Sequence, residues 1–210
     1  MPGSIWQETI GEFVEKVASS KPVPAGGAVA ALSACLAASL LKMLLEIAAK
    51  GGAKVDHQVV IVKTGLKELQ NCVAEDIKAF DSFLAARRMP QLTELEKLHR
   101  QELLTQALQR CTEVPLSAAQ AIVRLVPIAK DLVGLVPDKV LSDLGVALSE
   151  FDCGLVGLSF TVNINLRGTA SDPAFATVRA EQDQLASAIA CARQDLAAAI
   201  HQVAQKIGQP

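Results

Sequence analysis

The stretch 22-PVPAGGAVAALSACLAASLL-41 places two prolines and two glycines directly before an uninterrupted run of small and apolar residues. Proline and glycine punctuate regular structure, whereas alanine and leucine favour a helix. The stretch therefore predicts a loop that opens a long helix, which Gly51 and Gly52 should end after Lys50. Small side chains along this helix would let neighbouring helices approach it closely.

The composition of the whole chain favours the same class of structure. Half of the 210 residues are hydrophobic, aromatic residues make up 3%, and tyrosine is absent. Because alanine and leucine dominate the apolar set, helices are favoured over strands. We expect an all-α protein, a multihelical bundle built around a buried central Ala-rich helix. No linker or composition break interrupts it, so residues 1–210 are interpreted as a single domain.

Charge and cysteine content exclude several classes of function. The chain has 20 Lys and Arg against 22 Asp and Glu, for a formal charge of -2, and no basic block, so nucleic acid is not an expected partner. The five cysteines form no Cys-x-x-Cys pair. They are interpreted as buried, reduced thiols of a cytoplasmic protein, and no metal site is expected.

The apolar run from Ala28 to Ala49 approaches the roughly 20 residues that a membrane span needs. It contains Lys42 and Glu46, however, and has no aromatic belt. A helix packed on all sides is the preferred interpretation, and no membrane is expected as a partner.

Further helices are predicted along the rest of the chain. A first helix covers Ile5 to Val17, and a third runs from about Val55 to Arg88. Thr93 and Glu96 form a capping box for a fourth, which Pro115 and Pro127 should kink or divide. Residues 135–166 resemble a second tightly packed helix, although 160-FTVNINL-166 alternates like a short strand. A long closing helix follows Ser171-Asp172-Pro173.

The glycine loop is also a candidate for chemistry. A helix start leaves backbone N–H groups without partners inside the helix, and two glycines let another group come close. Such an end attracts phosphate or carboxylate groups. Tight packing around a buried helix explains the same residues equally well, because the loop lacks the Lys-Ser/Thr ending of a P-loop.

Polar residues inside apolar stretches give three further candidate sets. Each has a structural alternative: a solvated face for the first, a helix cap for the second. In the third, an amide and a guanidinium on one helical face could point into a cleft. The sets are Asp76 with Lys78 and Asp81, Ser142 with Asp143, and Asn163 and Asn165 with Arg167.

A histidine-dependent hydrolase is hard to build from this chain. His57, His99 and His201 lie outside all three polar sets and beside no nucleophile elbow, so they are interpreted as surface residues. Any acid-base chemistry must then depend on carboxylates and lysine.

Five motifs, taken in order, resemble a known family. They are the glycine loop, 74-AEDIKAFDSFLAARRMP-90, 113-EVPLSAAQAIVRL-125, 140-VLSDLGVAL-148 and 162-VNINL-166. Together they are similar to the cyclodeaminase/cyclohydrolase family, the C-terminal domain of formiminotransferase-cyclodeaminase, which also occurs as free-standing methenyltetrahydrofolate cyclohydrolases. The resemblance implies an all-helical, homodimeric enzyme that acts on one-carbon tetrahydrofolates, with no cofactor besides that substrate.

The resemblance also assigns candidate residues. Asp81 or Asp143 is the expected general acid/base, with Asp76 as a further catalytic candidate. The loop N–H groups would bind the pterin or a charged part of the substrate, and Lys54 and Arg167 its glutamate tail. The full set of expected substrate-binding residues is Pro24, Gly26, Gly27, Ala28, Lys54, Ser142, Asn163, Asn165 and Arg167.

The loop departs from the family pattern, which usually is Pro-Gly-Gly-Gly-Ser where this chain has 24-PAGGA-28. If Ala25 had to adopt a positive φ, the strain would cost about 1 kcal/mol or more. A catalytically weakened relative, kept as a folate-binding or helical oligomerisation module, is therefore the alternative to an active enzyme.

Overall fold

The computed structural model describes residues 5–208, which form six α-helices joined by short connections. The helices are α1 (Ile10–Ala18), α2 (Gly26–Lys50), α3 (Asp56–Arg87), α4 (Glu94–Asp131), α5 (Leu141–Leu166) and α6 (Ala176–Lys206). Short 3-10 helices cover Ile5–Gln7, Leu132–Gly134, Asp138–Val140 and Pro173–Phe175. No strand occurs within residues 5–208, so the all-α prediction is confirmed.

Local sequence signals set the helix ends. Thr93 caps α4 through its side chain, and the Glu96 carboxylate accepts the Thr93 N–H at 2.9 Å, which completes the predicted capping box. Thr9 and Glu12 form an equivalent box at the start of α1. The predicted glycine stop after α2 is also confirmed, because the helix ends at Lys50.

α2 packs between α3 and α5, and its buried face consists mainly of alanine and leucine. Gly154 and Gly157 of α5 allow a close approach: a Cβ on Gly157 would lie 2.7 Å from the Ala30 Cβ. The C-terminal half of α5 therefore lies beside the first turns of α2, and the two helices run antiparallel. α4 packs against α3, α5 and α6 and completes the hydrophobic core.

Two sequence-based predictions of secondary structure need correction. Residues 160–166 are the last turns of α5 and do not form a strand, because they continue a helix that packs against α2 and α4. α4 continues through Pro115 and Pro127 as one helix of 38 residues, so a division at these prolines is wrong, while a kink stays a prediction. Tertiary packing on three neighbouring helices holds it together despite the lost backbone hydrogen bonds.

Gly26–Lys50 and Asp138–Leu166 are long and apolar enough to qualify as membrane spans by length and composition alone. More than half of the most apolar window of the first is buried inside the bundle. The cysteines are all unpaired: Cys35, Cys72 and Cys111 are buried as expected. Cys153 and Cys191 are exposed, so the expectation of burial is wrong for these two, which lie on outward helix faces.

Candidate active site

A pocket of about 390 Å³ opens where the first turn of α2 meets the middle of α3, the middle of α4 and the last turns of α5. This volume is in the range of small-molecule sites. Most of its wall is apolar, and its polar groups come from four separate elements. The lining residues are Ala25, Gly26, Gly27, Asp76, Phe80, Cys111, Phe160, Thr161, Ile164 and Asn165.

Asp76 supplies the carboxyl group of the pocket. It lies on α3 and faces the start of α2, where it accepts a hydrogen bond from the backbone N–H of Ala28. Burial disfavours its charged form and raises its pKa to about 6, while the Ala28 hydrogen bond opposes part of that rise. A carboxyl group with this pKa can accept and return a proton near neutral pH.

The first turn of α2 directs backbone N–H groups toward the pocket. Ala25 is the N-cap but offers no side-chain acceptor, so Asp76 acts as the cap through Ala28. The N–H groups of Gly26 and Gly27 have no partner within the helix. Ala25 has φ -124° and ψ -167°, an extended conformation, so the left-handed strain considered for this substitution does not arise.

Asn165 contributes an amide near the end of α5. Its Nδ2 donates a hydrogen bond to the Cys111 carbonyl at 2.8 Å, which joins α5 to α4. One turn earlier, the Thr161 hydroxyl donates to the Gly157 carbonyl at 3.1 Å. Since both side chains use a donor for the protein, each retains an acceptor oxygen beside the pocket.

Phe80 and Phe160 provide the aromatic walls, and Ile164 adds an aliphatic one. Cys111 also lines the pocket, but burial and the nearby Asp76 charge raise the pKa of its thiol to about 11. The thiol is therefore protonated at neutral pH and unsuited to act as a nucleophile. Within residues 5–208, no group of three or more His, Cys, Asp or Glu side chains could hold a metal ion.

The structure brings together four of the residues expected from the sequence: Gly26, Gly27, Asp76 and Asn165. Ala28 is fully buried, and its N–H binds Asp76 instead of facing the cavity.

Pro24 and Asp81 line a neighbouring cavity of about 420 Å³, on the α1 side of the glycine loop. Asp81 is exposed there, beside Lys16, Lys21 and Lys78. Lys78 pairs with Glu75 at 2.9 Å, so the three-residue spacing of Lys78 and Asp81 does not make the expected pair. Asp81 thus faces a different, more open surface from Asp76.

The expectation that Asp81, Asp143 and Asn165 converge at one crevice is wrong within a single chain. Asp143 and Ser142 occupy the first turn of α5, whereas Asn165 is in its last turn, about 33 Å away along the helix axis. Lys54 follows α2, at the end opposite Gly26. Asp143 and Lys54 lie far from the pocket because α2 and α5 extend the full length of the bundle.

Asn163 and Arg167 do not point together into a cleft. Asn163 Oδ1 accepts a hydrogen bond from Gln182 at 3.0 Å in a second cavity of about 140 Å³ between α4, α5 and α6. Arg167 is exposed at the C-cap of α5. The two residues that follow Asn163 along the chain, Ile164 and Asn165, are the ones that face the main pocket.

Sequence reasoning missed Phe160, Thr161 and Ile164 as lining residues. Their signal is the helical spacing of 160, 161, 164 and 165, which place their side chains on one face. In a strand, residues 160 and 161 would point to opposite faces, so this shared face exists only in a helix.

The protein is an all-α bundle with an apolar pocket, and this pocket holds a carboxyl group of raised pKa beside a helix N-terminus. Such a pocket is a small-molecule site suited to proton transfer. The family model for formiminotransferase-cyclodeaminase matches residues 9–184, and the chain belongs to this family.

Relatives of known name extend the comparison. The methenyltetrahydrofolate cyclohydrolase of Methylorubrum extorquens is 34% identical, over 83% of this chain and 86% of that protein. The formimidoyltransferase-cyclodeaminase of Sus scrofa is 28% identical over 84% of this chain, which spans only 34% of the pig enzyme. The crystal structure of formiminotetrahydrofolate cyclodeaminase from Thermotoga maritima has the same fold, with a TM-score of 0.78 over 95% of this chain and 98% of that one, at 20% identity.

Proposed function

We propose that this chain is a one-carbon tetrahydrofolate enzyme, a methenyltetrahydrofolate cyclohydrolase, a formimidoyltetrahydrofolate cyclodeaminase, or both. The observation that carries the proposal is the partly buried Asp76 carboxyl group in a pocket with two phenylalanine walls. The cyclohydrolase activity is favoured because the bacterial relative of that name is matched over most of its length. Transferase activity is not proposed, since this chain spans about a third of the pig enzyme.

The pocket suits a reduced pterin with its one-carbon bridge. Phe80 and Phe160 offer apolar faces for a flat ring system, and Asn165 and Thr161 offer acceptor oxygens for its N–H groups. The Gly26 and Gly27 N–H groups can bind the exocyclic oxygen of the ring. This arrangement would present the bridge carbon to Asp76.

In the cyclohydrolase reaction, water attacks the bridge carbon of the methenyl cation. Ionised Asp76 takes one proton from that water as the new C–O bond forms. The bond from carbon to N5 then breaks, Asp76 returns its proton to N5, and the remaining hydroxyl proton leaves to solvent. The products are 10-formyltetrahydrofolate and one proton.

In the cyclodeaminase reaction, N10 attacks the formimino carbon attached to N5. The formimino group reacts as its amidinium cation, so its nitrogen becomes an –NH2 group when N10 attacks. Asp76 takes the N10 proton and delivers it to this –NH2 group, and ammonia leaves as the cationic methenyl bridge forms. Both reactions pass through a tetrahedral carbon between two nitrogens. One carboxyl group with a pKa of about 6 can therefore serve both.

We further propose that the reaction uses no cofactor besides the folate substrate and takes place in the cytoplasm. A carboxyl group that moves one proton suffices for either reaction. Five unpaired cysteines, two of them exposed, are typical of a reducing compartment. Arg167, which lies two residues beyond Asn165, remains the candidate for the glutamate tail.

We also propose a homodimer formed through α2 and α5. These neighbouring antiparallel helices expose an apolar surface, which we call the α2/α5 face, made of Val29, Leu36, Met43, Val146, Phe160 and Ile164. Leu36 is 56% exposed and Phe160 69%. A second copy would cover this face and place the Ala-rich α2 at the centre of the assembly. Because Phe160 and Ile164 also line the pocket, the same contact would enclose the substrate.

The decisive experiment follows the loss of methenyltetrahydrofolate absorbance in the presence of the purified protein. We expect turnover well above the buffer rate, reduced at least about 100-fold by Asp76→Asn. Asp81→Asn is the matched control, since this carboxyl group is exposed and does not line the pocket. Folate binding without turnover would support the weakened module instead. If the protein showed no folate binding and no turnover, both folate functions would be overturned.

A further inference from the structure

Pro115 lies inside α4, four residues after Cys111, which lines the pocket. In an α-helix the carbonyl of residue 111 accepts from the N–H of residue 115, but proline has no N–H. The Cys111 carbonyl thus loses its partner within the helix. Cys111 is buried, so an unsatisfied carbonyl there would be costly.

Asn165 of α5 provides the hydrogen-bond donor for this carbonyl. Its Nδ2 donates to the Cys111 oxygen at 2.8 Å, over a separation of 54 residues in the chain. Since a carbonyl can only accept, the nitrogen of the amide must face Cys111 and the oxygen must face away from it. The orientation of Asn165 is therefore fixed by chemistry.

We propose that Pro115 is a positioning residue of the pocket: by freeing the Cys111 carbonyl it anchors the Asn165 amide, so that Asn165 Oδ1 accepts an N–H group of the bound substrate. The inference rests on the proposed function for the identity of that substrate, an N–H-bearing reduced pterin. Asn165 lines the same pocket as Asp76, which places this acceptor beside the proton-transfer group.

Asn165 pairs with the Cys111 carbonyl and also accepts a substrate N–H group. A double variant separates these two roles. Asn165→Ala leaves the Cys111 carbonyl unpaired, so we expect a lower melting temperature and a KM raised about five- to tenfold, the value of one hydrogen bond. Combining it with Pro115→Ala gives the carbonyl a backbone N–H partner again. Stability should then return to the wild-type value while KM stays raised. Recovery of KM together with stability would overturn the proposal, because it would leave Asn165 a structural role only.

Pro115→Ala alone tests the positioning directly. The new N–H group competes for the Cys111 carbonyl and releases the Asn165 amide, so KM should rise severalfold without loss of stability. Pro127→Ala is the matched control: it restores an N–H in the same helix, and Pro127 is exposed and outside the pocket lining. An equal change of KM in both variants would contradict the proposal.

A readout that does not need activity separates this inference from the folate function. The side-chain NH₂ signals of Asn165 in ¹⁵N NMR spectra should show slow hydrogen exchange in the wild type and fast exchange in Pro115→Ala. Unchanged exchange in the variant would overturn the role of Pro115, whatever the substrate. Failure of 5-formyltetrahydrofolate to bind the wild type by calorimetry would instead count against the proposed function.

Discussion

A Cβ atom on Gly27 would lie 2.3 Å from Oδ1 of Asp76, far inside van der Waals contact. The same atom on Gly26, one residue earlier, would have no neighbour within 4 Å. The Asp76 carboxyl group therefore reaches the first turn of α2 only because residue 27 has no side chain. Of the two adjacent glycines, one makes room for the carboxyl group and the other faces open space in the pocket.

Gly27→Ala should displace Asp76 and break its hydrogen bond to the Ala28 N–H. We expect a loss of stability of about 1 to 3 kcal/mol from overpacking and a loss of turnover close to that of Asp76→Asn. Thermal unfolding and the methenyltetrahydrofolate assay measure the two effects. Gly26→Ala is the matched control and should keep wild-type stability, with at most a higher KM. Similar losses in both variants would contradict the assigned contact.

The rate of the cyclohydrolase reaction should follow the ionisation of Asp76. With a pKa of about 6, the carboxylate fraction rises from about one tenth at pH 5 to about nine tenths at pH 7. We expect kcat/KM for hydrolysis, corrected for the buffer reaction, to rise across this interval and level off above it. Asp76→Asn should remove the inflection, whereas Asp81→Asn should retain it. An inflection that persists without Asp76 would assign the base to another group.

Asp76 should also make the free protein less stable as pH rises. Its pKa is about 6 in the folded chain against about 3.9 in an unfolded one, so the folded state binds more protons between these values. The stability that protonated Asp76 contributes below pH 4 is then lost as the pH rises through 6. Full ionisation costs about 1 to 3 kcal/mol.

Asp76→Asn removes this cost and keeps an acceptor for Ala28. Its melting temperature should exceed that of the wild type by about 3 to 8 °C at pH 8 and by little at pH 4. Asp81→Asn is the control, because Asp81 is exposed. A constant difference between wild type and Asp76→Asn at all pH values would show that burial of the charge is not the cause.

Much of the fold could be predicted because its signals are local. The Thr93 and Glu96 capping box, the glycine stop after Lys50 and the alanine-rich run of α2 each depend on residues that are neighbours in the chain. The three histidines are exposed, as their positions outside the polar sets indicated. The single domain over residues 1–210 stays a prediction.

The site was predicted only in part because it depends on distances between helices. The sequence indicates Asp76 and the glycine loop, but its inclusion of Asp143 is wrong, because Asp143 and Asn165 lie at opposite ends of a helix of 26 residues. Sequence order gives no indication of which end of α5 meets the start of α2. That information comes from the packing of Gly157 on Ala30. The role of the Cys111 carbonyl likewise requires α4 and α5 to be placed side by side.

The α2/α5 face should hold two copies of the chain together in solution. Leu36 lies in the middle of the α2/α5 face, so Leu36→Glu would place a charge in the apolar contact between two copies. We expect sedimentation to show the wild type at twice the chain mass of 22.1 kDa and the variant at the mass of one chain. Leu95→Glu is the control, because Leu95 is 78% exposed on α4 and outside this face.

Since Phe160 and Ile164 belong to both the face and the pocket, the Leu36 variant should also show a higher KM. A wild type that sediments as one chain, or a Leu36→Glu variant that remains a dimer, would exclude this contact as the interface.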